Sequence, residues 1–241
     1  MRRLLVSDVH LEAGAPAVTE QFLGFLTREA SHAAALYVLG DLFETWVGDD
    51  AVDPDQARVC QALRSLGAQG VACFVLHGNR DFLLGEDFAA RTGCRLLPDP
   101  VVALFDAEPV LLTHGDALCT DDHAYQELRS TVREALWQRR FLGLPRVRRG
   151  QLAAAARAGS RRHTRSSGAE IMDVNPGAVQ RAFRVAQVRR MIHGHTHRPG
   201  IHAVDVDGTG AERIVLGAWH EAGSYLSVEQ GQYRLHTLPR G

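Results

Sequence analysis

The sequence predicts an α/β fold: a single domain, residues 1–241, built on two sheets and carrying a helical insertion at about 121–168. Three observations predict it. In the first half, short apolar runs alternate with helix-spaced segments, the β-α-β-α-β order that builds a mainly parallel sheet covered by helices. Beyond residue 200 the spacing changes to short strands between glycine-bearing turns, as in an antiparallel sheet. Between these regions lies a helix-like stretch with most of the chain's basic excess.

Taken in order, residues 3–7 (RLLVS) form a buried strand, and residues 16–30 carry helical spacing in Val18, Phe22, Phe25 and Leu26, with Pro16 near the start. Residues 35–39 (ALYVL) are the second strand, 55–66 a helix, and 71–76 (VACFVL) the third strand. Apolar runs follow near 101–105 and 110–113. After the insertion come a helix at about 176–187 and a strand at 189–193. Strands at 201–206, 213–216, 225–228 and 232–238 complete the chain.

With 45% hydrophobic and 23% charged residues, a chain of 241 residues buries a sizeable core. The formal net charge of −1 exerts no global pull toward nucleic acid or membrane. All 27 basic residues are arginine, which excludes Schiff-base chemistry and a lysine-dependent phosphate loop. Phosphate recognition is left to guanidinium forks. Cys60, Cys73, Cys94 and Cys119 form no C-x-x-C pair and read as reduced thiols. The N-terminal apolar run stops at Ser7-Asp8, too short for a signal peptide, and no stretch approaches the ~20 apolar residues of a membrane span. The expected location is the cytoplasm, or the cytoplasmic face of a membrane. Between residues 135 and 169 there are nine arginines and no acid. Such a segment reads as a solvated helical face, a docking surface for anionic lipid headgroups, or a nucleic-acid contact. The few aromatics and the lack of a nucleic-acid-binding motif speak against the last.

Each predicted strand of the parallel set ends in a polar turn, glycine-bearing in all but the first: Asp8-Val9-His10, Gly40-Asp41, Gly78-Asn79-Arg80-Asp81, His114-Gly115-Asp116, and His193-Gly194-His195-Thr196-His197. Ligands of open α/β sheets bind outside the carboxyl ends of the strands, so five strand ends deliver Asp, Asn and His to one edge. Asp8 and His10, like His195 and His197 or His193 and His195, are two apart and share a face in extended backbone. Such a carboxylate, carboxamide and imidazole set suits Mn²⁺, Fe²⁺ or Zn²⁺ better than Ca²⁺. Seven candidate ligands, Asp8, His10, Asp41, Asn79, His114, His195 and His197, are too many for one tetrahedral ion and suit two metals bridged by one carboxylate.

In this order the motifs D-x-H, G-D, G-N-R-D, H-G-D and G-H-T-H resemble those of the calcineurin-like metallophosphoesterases. The longer segments SDVHLE, GDLFETWVGDD, HGNRDFLLG, LLTHGDALCTDDHAYQ, EIMDVNPGAV and IHGHTHRPG are similar to one family among them, the UDP-2,3-diacylglucosamine pyrophosphohydrolases of lipid A biosynthesis, over essentially the whole chain. Arg80 stands where most of the superfamily has histidine.

The resemblance implies a four-layer α/β/β/α sandwich with the insertion as a lid. It implies hydrolysis of UDP-2,3-diacylglucosamine to UMP and 2,3-diacylglucosamine 1-phosphate by a monomer on the cytoplasmic face of the inner membrane, with two Mn²⁺ ions activating water against the α phosphorus. It gives Asp8, His10, Asp41 and His197 to one ion and Asp41, Asn79, His114 and His195 to the other. Asn79, Arg80, Asp122, Tyr125, Arg157, Ser160, Thr164, Ser167 and His195 are the implied substrate contacts; Thr164 and Ser167 depart from the family's Asn and Lys, and Arg165 lies between them. Leu128, Val132, Trp137, Phe141, Leu142 and Leu152 would line an acyl groove. Asp81 and Asp116 are expected to orient ligands, and His193 to support the strand. Trp46, Trp137 and Trp219 read as packing residues, though Trp46 lies inside a motif. Cys119 reads as a non-ligand. The remaining histidines, His32, His123, His163, His202, His220 and His236, read as surface or core, and His77 is best placed to support a ligand. The other readings are a dinucleoside polyphosphate hydrolase, a nuclease, or a metal-bound scaffold without turnover.

Overall fold

The computed structural model describes residues 1–166, 173–220 and 222–239. Along the chain come β1 (Arg3–Val6), α1 (Pro16–Arg28), β2 (Ala35–Leu39), α2 (Pro54–Ala68), β3 (Ala72–Leu76), α3 (Glu86–Thr92) and β4 (Arg95–Leu97). The hairpin β5 (Val101–Phe105) and β6 (Glu108–Leu112) leads into the insertion, made of α4 (His123–Arg133), α5 (Ala135–Leu142) and α6 (Arg146–Ser166). Then follow α7 (Pro176–Ala186), β7 (Arg190–His193), β8 (Gly200–Val206), β9 (Thr209–Val215), β10 (Gly223–Glu229) and β11 (Gln232–Leu238).

Period-two burial along the strands builds four layers. Leu4 and Val6 of β1, Leu36 and Val38 of β2, and Cys73 and Val75 of β3 pack on Phe22, Phe25, Val59 and Leu63 of α1 and α2. The alternate residues Leu5, Leu39 and Leu76, with Leu226 and Val228, face a second sheet through Phe105, Val110, Leu112, Ile192 and Ile214. The far face of that sheet, Leu111, Met191 and Ala211, is covered by Ala178, Val179 and Phe183 of α7. The order is helices, sheet, sheet, helix, the predicted sandwich.

The first sheet runs β11-β10-β1-β2-β3-β4 and the second β5-β6-β7-β9-β8. β1 to β4 are parallel, and so are β6, β7 and β9. The C-terminal strands pair antiparallel as expected, but not with one another in one set. They form two hairpins, β8–β9 on the second sheet and β10–β11 on the first, because one closes each sheet against a different parallel strand. Two elements went unpredicted, α3 and β4. They span only seven and three residues, too short for a periodic signal.

The insertion is fastened by charge as well as by apolar contact, with Phe141 against the core and Trp137 against Phe82 at 6.2 Å. α4 and α5 bury no residue. On α6, Arg149 is buried; its guanidinium donates to the Val47 carbonyl at 2.6 Å and to both Asp50 carboxylate oxygens at 2.8 and 2.6 Å.

The core between the sheets predicts a contrast. Ile192→Ala should lower the unfolding free energy by about 2–5 kcal/mol in urea titration, whereas Leu104→Ala, on a 69% exposed side chain, should change it by less than about 0.5 kcal/mol. Equal losses would contradict the assigned layers.

Candidate active site

The parallel strands of both sheets end at the same edge, and the seven predicted ligands sit in the turns that follow β1, β2, β3, β6 and β7. The reason they meet differs from the extended spacing expected. Asp8, His10, Asp41, His195 and His197 all have left-handed backbone, with φ of 53°, 55°, 53°, 66° and 55°. For side-chain-bearing residues this region costs on the order of 1–3 kcal/mol each and persists where the surroundings enforce it. The turns are thus coiled inward, and each ligand is aimed by the twist of its own backbone. Two glycines permit the closeness: a Cβ at Gly78 would lie 2.0 Å from Asp41 Oδ1, and one at Gly194 would lie 2.2 Å from Asp8 Oδ2.

The ligands form two adjoining groups. In one, His10 Nε2 lies 3.4 Å from His197 Nε2, 3.8 Å from Asp8 Oδ1 and 3.9 Å from Asp41 Oδ2, while His197 Nε2 lies 3.2 Å from Asp8 Oδ1. In the other, His114 Nε2 and His195 Nδ1 each lie 2.9 Å from Asn79 Oδ1, and His114 Nε2 is 3.8 Å from Asp41 Oδ1. Asp41 therefore faces both groups, one oxygen to each. The far nitrogens are already engaged. His114 Nδ1 donates to the Leu39 carbonyl at 2.9 Å, and His10 Nδ1 meets Glu44 Oε2 at 2.7 Å. This is the arrangement that fixes a ligating imidazole and leaves its other nitrogen for a cation. Facing imidazole nitrogens and converging carboxylate oxygens, with Asp8, His10, Asp41 and His114 buried, fit divalent metal ions.

The electrostatics point the same way. Asp8 and Asp41 are buried. Burial pushes the Asp41 carboxyl up to about 6. Burial opposes the charge on His114, but Asp41, Asp8, Asp116 and Asp99 outweigh it and raise the imidazole to about 9. Asp8 is also desolvated, yet His197, His114 and His10 hold its carboxyl below the usual range. Burial lowers His195 to about 4.

Surrounding groups hold the turns. Asp81, fully buried, accepts backbone N–H groups from Asp41, Leu42, Phe43 and Gly78 at 3.3, 2.7, 3.4 and 2.8 Å, and so ties the turns after β2 and β3 together. Asp116 Oδ2 accepts from the Tyr125 hydroxyl at 2.5 Å and from Arg129 Nε at 2.8 Å. His193 stays in the strand: Arg213 donates to its Nε2 at 3.1 Å, its Nδ1 meets the Gly194 carbonyl at 2.8 Å, and burial lowers it to about 3. The expectation that His193 shares a face with His195 fails, because the chain leaves β7 between them. His77 supports no ligand; its Nε2 bonds the Leu84 carbonyl at 2.7 Å. Trp46 packs on Phe43 and Phe88, and burial pushes the Cys119 thiol up to about 12.

Of the expected substrate contacts, Arg80 is half-buried at this edge with its Nε buried and unpaired. Tyr125 is turned inward, its hydroxyl spent on Asp116 and its ring stacked on His195 at 6.0 Å. Asp122 is buried and caps α4, accepting from the Tyr125 backbone N–H at 3.0 Å. Arg157 is tied to Thr45 Oγ1 at 3.0 Å, Glu12 at 3.2 Å and Glu44 at 2.7 Å rather than held free. Ser160 is half-buried on α6. Ser167 and the side chains of Thr164 and Arg165 lie outside the described residues. Val132, Trp137 and Phe141 are half-buried on the insertion, with Trp137 and Phe141 stacked at 5.0 Å, and Leu128, Leu142 and Leu152 are exposed.

Two residues escaped the sequence reading. Glu44 bridges His10 and Arg157, and its place inside GDLFETWVGDD was the signal that could have singled it out. His220, in the turn after β9, stacks on His10 at 5.1 Å and lies edge-on to His197 at 5.3 Å. The rule that found the other ligands, a polar turn after a strand, would have found it in VLGAWH.

The fold and this edge define a calcineurin-like phosphoesterase: that family's model matches residues 1–199, and the chain belongs to it. Within it the chain is 46% identical to the UDP-2,3-diacylglucosamine hydrolase of Serratia proteamaculans, over 99% of this chain and 100% of the relative. It is 48% identical to the UDP-2,3-diacylglucosamine hydrolase of Yersinia pseudotuberculosis over the same shares. A solved archaeal phosphodiesterase shares the fold, with a TM-score of 0.52 at 13% identity, covering 99% of this chain and 100% of that one.

The raised His114 and Asp41 predict how metal binding follows pH. In the metal-free chain His114 carries a proton until about pH 9 and Asp41 until about pH 6, and a cation must displace them. Affinity for Mn²⁺ should therefore rise from pH 6 to pH 9 and level off above, with about one proton released per chain at pH 7.5 in calorimetry across buffers. A flat profile would contradict the assignment of His114. Asp41→Ala should abolish binding of both ions.

Proposed function

We propose that the chain hydrolyses the pyrophosphate bond of UDP-2,3-diacylglucosamine, giving UMP and 2,3-diacylglucosamine 1-phosphate, with two Mn²⁺ ions. The observation that carries the reading is the pairing of an edge that gathers all seven candidate ligands with full-length relatives of 46–48% identity that bear this substrate in their names. Asp8, His10, Asp41 and His197 would hold one ion, and Asp41, Asn79, His114 and His195 the other. Such ions, when bound, lower the pKa of a water toward neutrality and clamp phosphate oxygens.

The chain's own residues do the rest. Glu44 and the Leu39 carbonyl fix the rings of His10 and His114 so that Nε2 of each points inward. Arg80 cannot act as a general acid, since guanidinium does not deprotonate in proteins. Its half-buried guanidinium at this edge would instead offset charge developing on the phosphate, as a fixed cationic donor. A phosphorylated sugar leaves without a proton, so the replacement of histidine by Arg80 matches a diphosphate substrate. The Tyr125 hydroxyl, raised above its usual range by burial and by Asp116, remains protonated and keeps Asp116 in place.

The insertion supplies the lipid side of the reading. Leu128 (54% exposed), Leu142 (41%), Val147 (74%) and Leu152 (38%) present apolar surface on α4, α5 and α6. Arg139, Arg140 and Arg148 are exposed on the same segment. Among the described residues no helix is long and apolar enough to cross a membrane. We read this face as meeting acyl chains and anionic headgroups, with the chain a monomer held peripherally on the cytoplasmic face of the inner membrane.

With Mn²⁺ the purified protein should release UMP from UDP-2,3-diacylglucosamine, and Arg80→Ala should lower kcat/KM by roughly 10²–10³. Turnover of dinucleoside polyphosphates or bis-p-nitrophenyl phosphate without UMP release overturns the substrate reading. In flotation assays the protein should follow vesicles containing anionic phospholipid and dissociate as salt rises; indifference to lipid charge overturns the docking reading.

A further inference from the structure

His220 stands at the rim of the first ligand group and takes no part in the reading above. Its ring lies parallel to that of His10, at 14° and 5.1 Å, and at 60° and 5.3 Å to that of His197. One ring nitrogen from each of His10, His197 and His220 falls within 4.8 Å of the other two. The pair already in place has the spacing a zinc ion requires. A tetrahedral ion with metal–nitrogen bonds of about 2.05 Å separates its ligands by about 3.4 Å, and His10 Nε2 and His197 Nε2 are 3.4 Å apart. Glu44 holds His10 Nδ1, so Nε2 is the nitrogen presented. His220 is exposed, and because its ring plane lies at 14° to that of His10, its ring must turn before the two nitrogen lone pairs converge on one ion.

We propose that His10, His197 and His220 form a three-imidazole seat selective for zinc-class ions, overlapping the mixed oxygen and nitrogen seat of Asp8, His10, Asp41 and His197. Three imidazoles suit Zn²⁺, which is found on His₃ sets, whereas Mn²⁺ favours carboxylate and water oxygen. Because the two seats share His10 and His197, an ion in one excludes an ion from the other. His220 therefore sets the metal preference of the position: with it, zinc displaces manganese readily; without it, only the oxygen-bearing seat is left.

The test titrates Zn²⁺ into Mn²⁺-loaded protein without substrate and reads released Mn²⁺ by electron paramagnetic resonance. For one of the two Mn²⁺ equivalents, His220→Ala should need about tenfold more zinc, or beyond, since even supporting groups around a metal are worth 10–100-fold in affinity. The other equivalent should be released as in the unaltered protein. His220→Gln, which keeps a polar side chain but no imidazole, should behave the same way. With Co²⁺ in place of zinc, both variants should lose visible absorption intensity from a tetrahedral ion. Unchanged release of both equivalents overturns the proposal, because His220 is then no ligand. An equal shift of both overturns it too, because the effect is then structural. With no substrate present, either failure leaves the substrate reading untouched.

Discussion

The structure turns on the burial of two carboxylates, Asp8 and Asp41, at the meeting edge of two sheets. Isolated, a buried carboxylate costs far more than a fold can absorb, so it must be neutralised by a proton, a cation or a set of donors. All three are visible. Asp41 is driven toward the protonated form, to about 6, by burial. His114 is driven to about 9 by the acids around it. Backbone N–H groups of Arg80 and His195 donate to Asp41 Oδ1 at 2.8 Å and to Asp8 Oδ2 at 2.9 Å. Each carboxylate is thus partly satisfied from one side and open toward the imidazoles on the other, where positive charge is needed.

That demand explains the backbone around it. Five left-handed residues and two glycines pressed against carboxylate oxygens would be a poor bargain in a turn with no task. They persist because Asp81 gathers four N–H groups from the turns after β2 and β3, while the core between the sheets keeps the strand ends from spreading. Backbone strain is held at the functional edge by apolar packing behind it.

The sandwich was legible because its strands are continuous apolar runs and its helices have clean spacing; residues 35–39 and 101–105 match their strands end to end. The gathering of the seven candidate ligands at one edge was legible because each follows such a run. What escaped did so for physical reasons. A strand of three residues has no period to read. The choice of sheet by each C-terminal hairpin depends on long-range pairing that local alternation does not encode. The pairing of Tyr125 with Asp116 and of Arg157 with Glu44 joins residues of different elements, which local spacing does not encode. His220 was passed over as one histidine among many, although Trp219 N–H bonds the Asp8 carbonyl at 3.1 Å and so carries its turn to the edge.

The fasteners and the ligands are joined through the same acids. Glu44 takes His10 on one oxygen and Arg157 of α6 on the other. Asp116 follows the ligand His114 by two residues and takes Tyr125 and Arg129 of α4. Arg133 of α4 donates at 2.9 Å to the carbonyl of Gly78, which precedes the ligand Asn79. Neither helix therefore moves without altering the support of a metal ligand. α5 adds apolar contact through Phe141 and Trp137, while the polar contacts of α4 and α6 end beside the candidate ligands. The chain's exclusive use of arginine suits that coupling, because a planar fork engages two partners at once where an ammonium ion offers only a point charge.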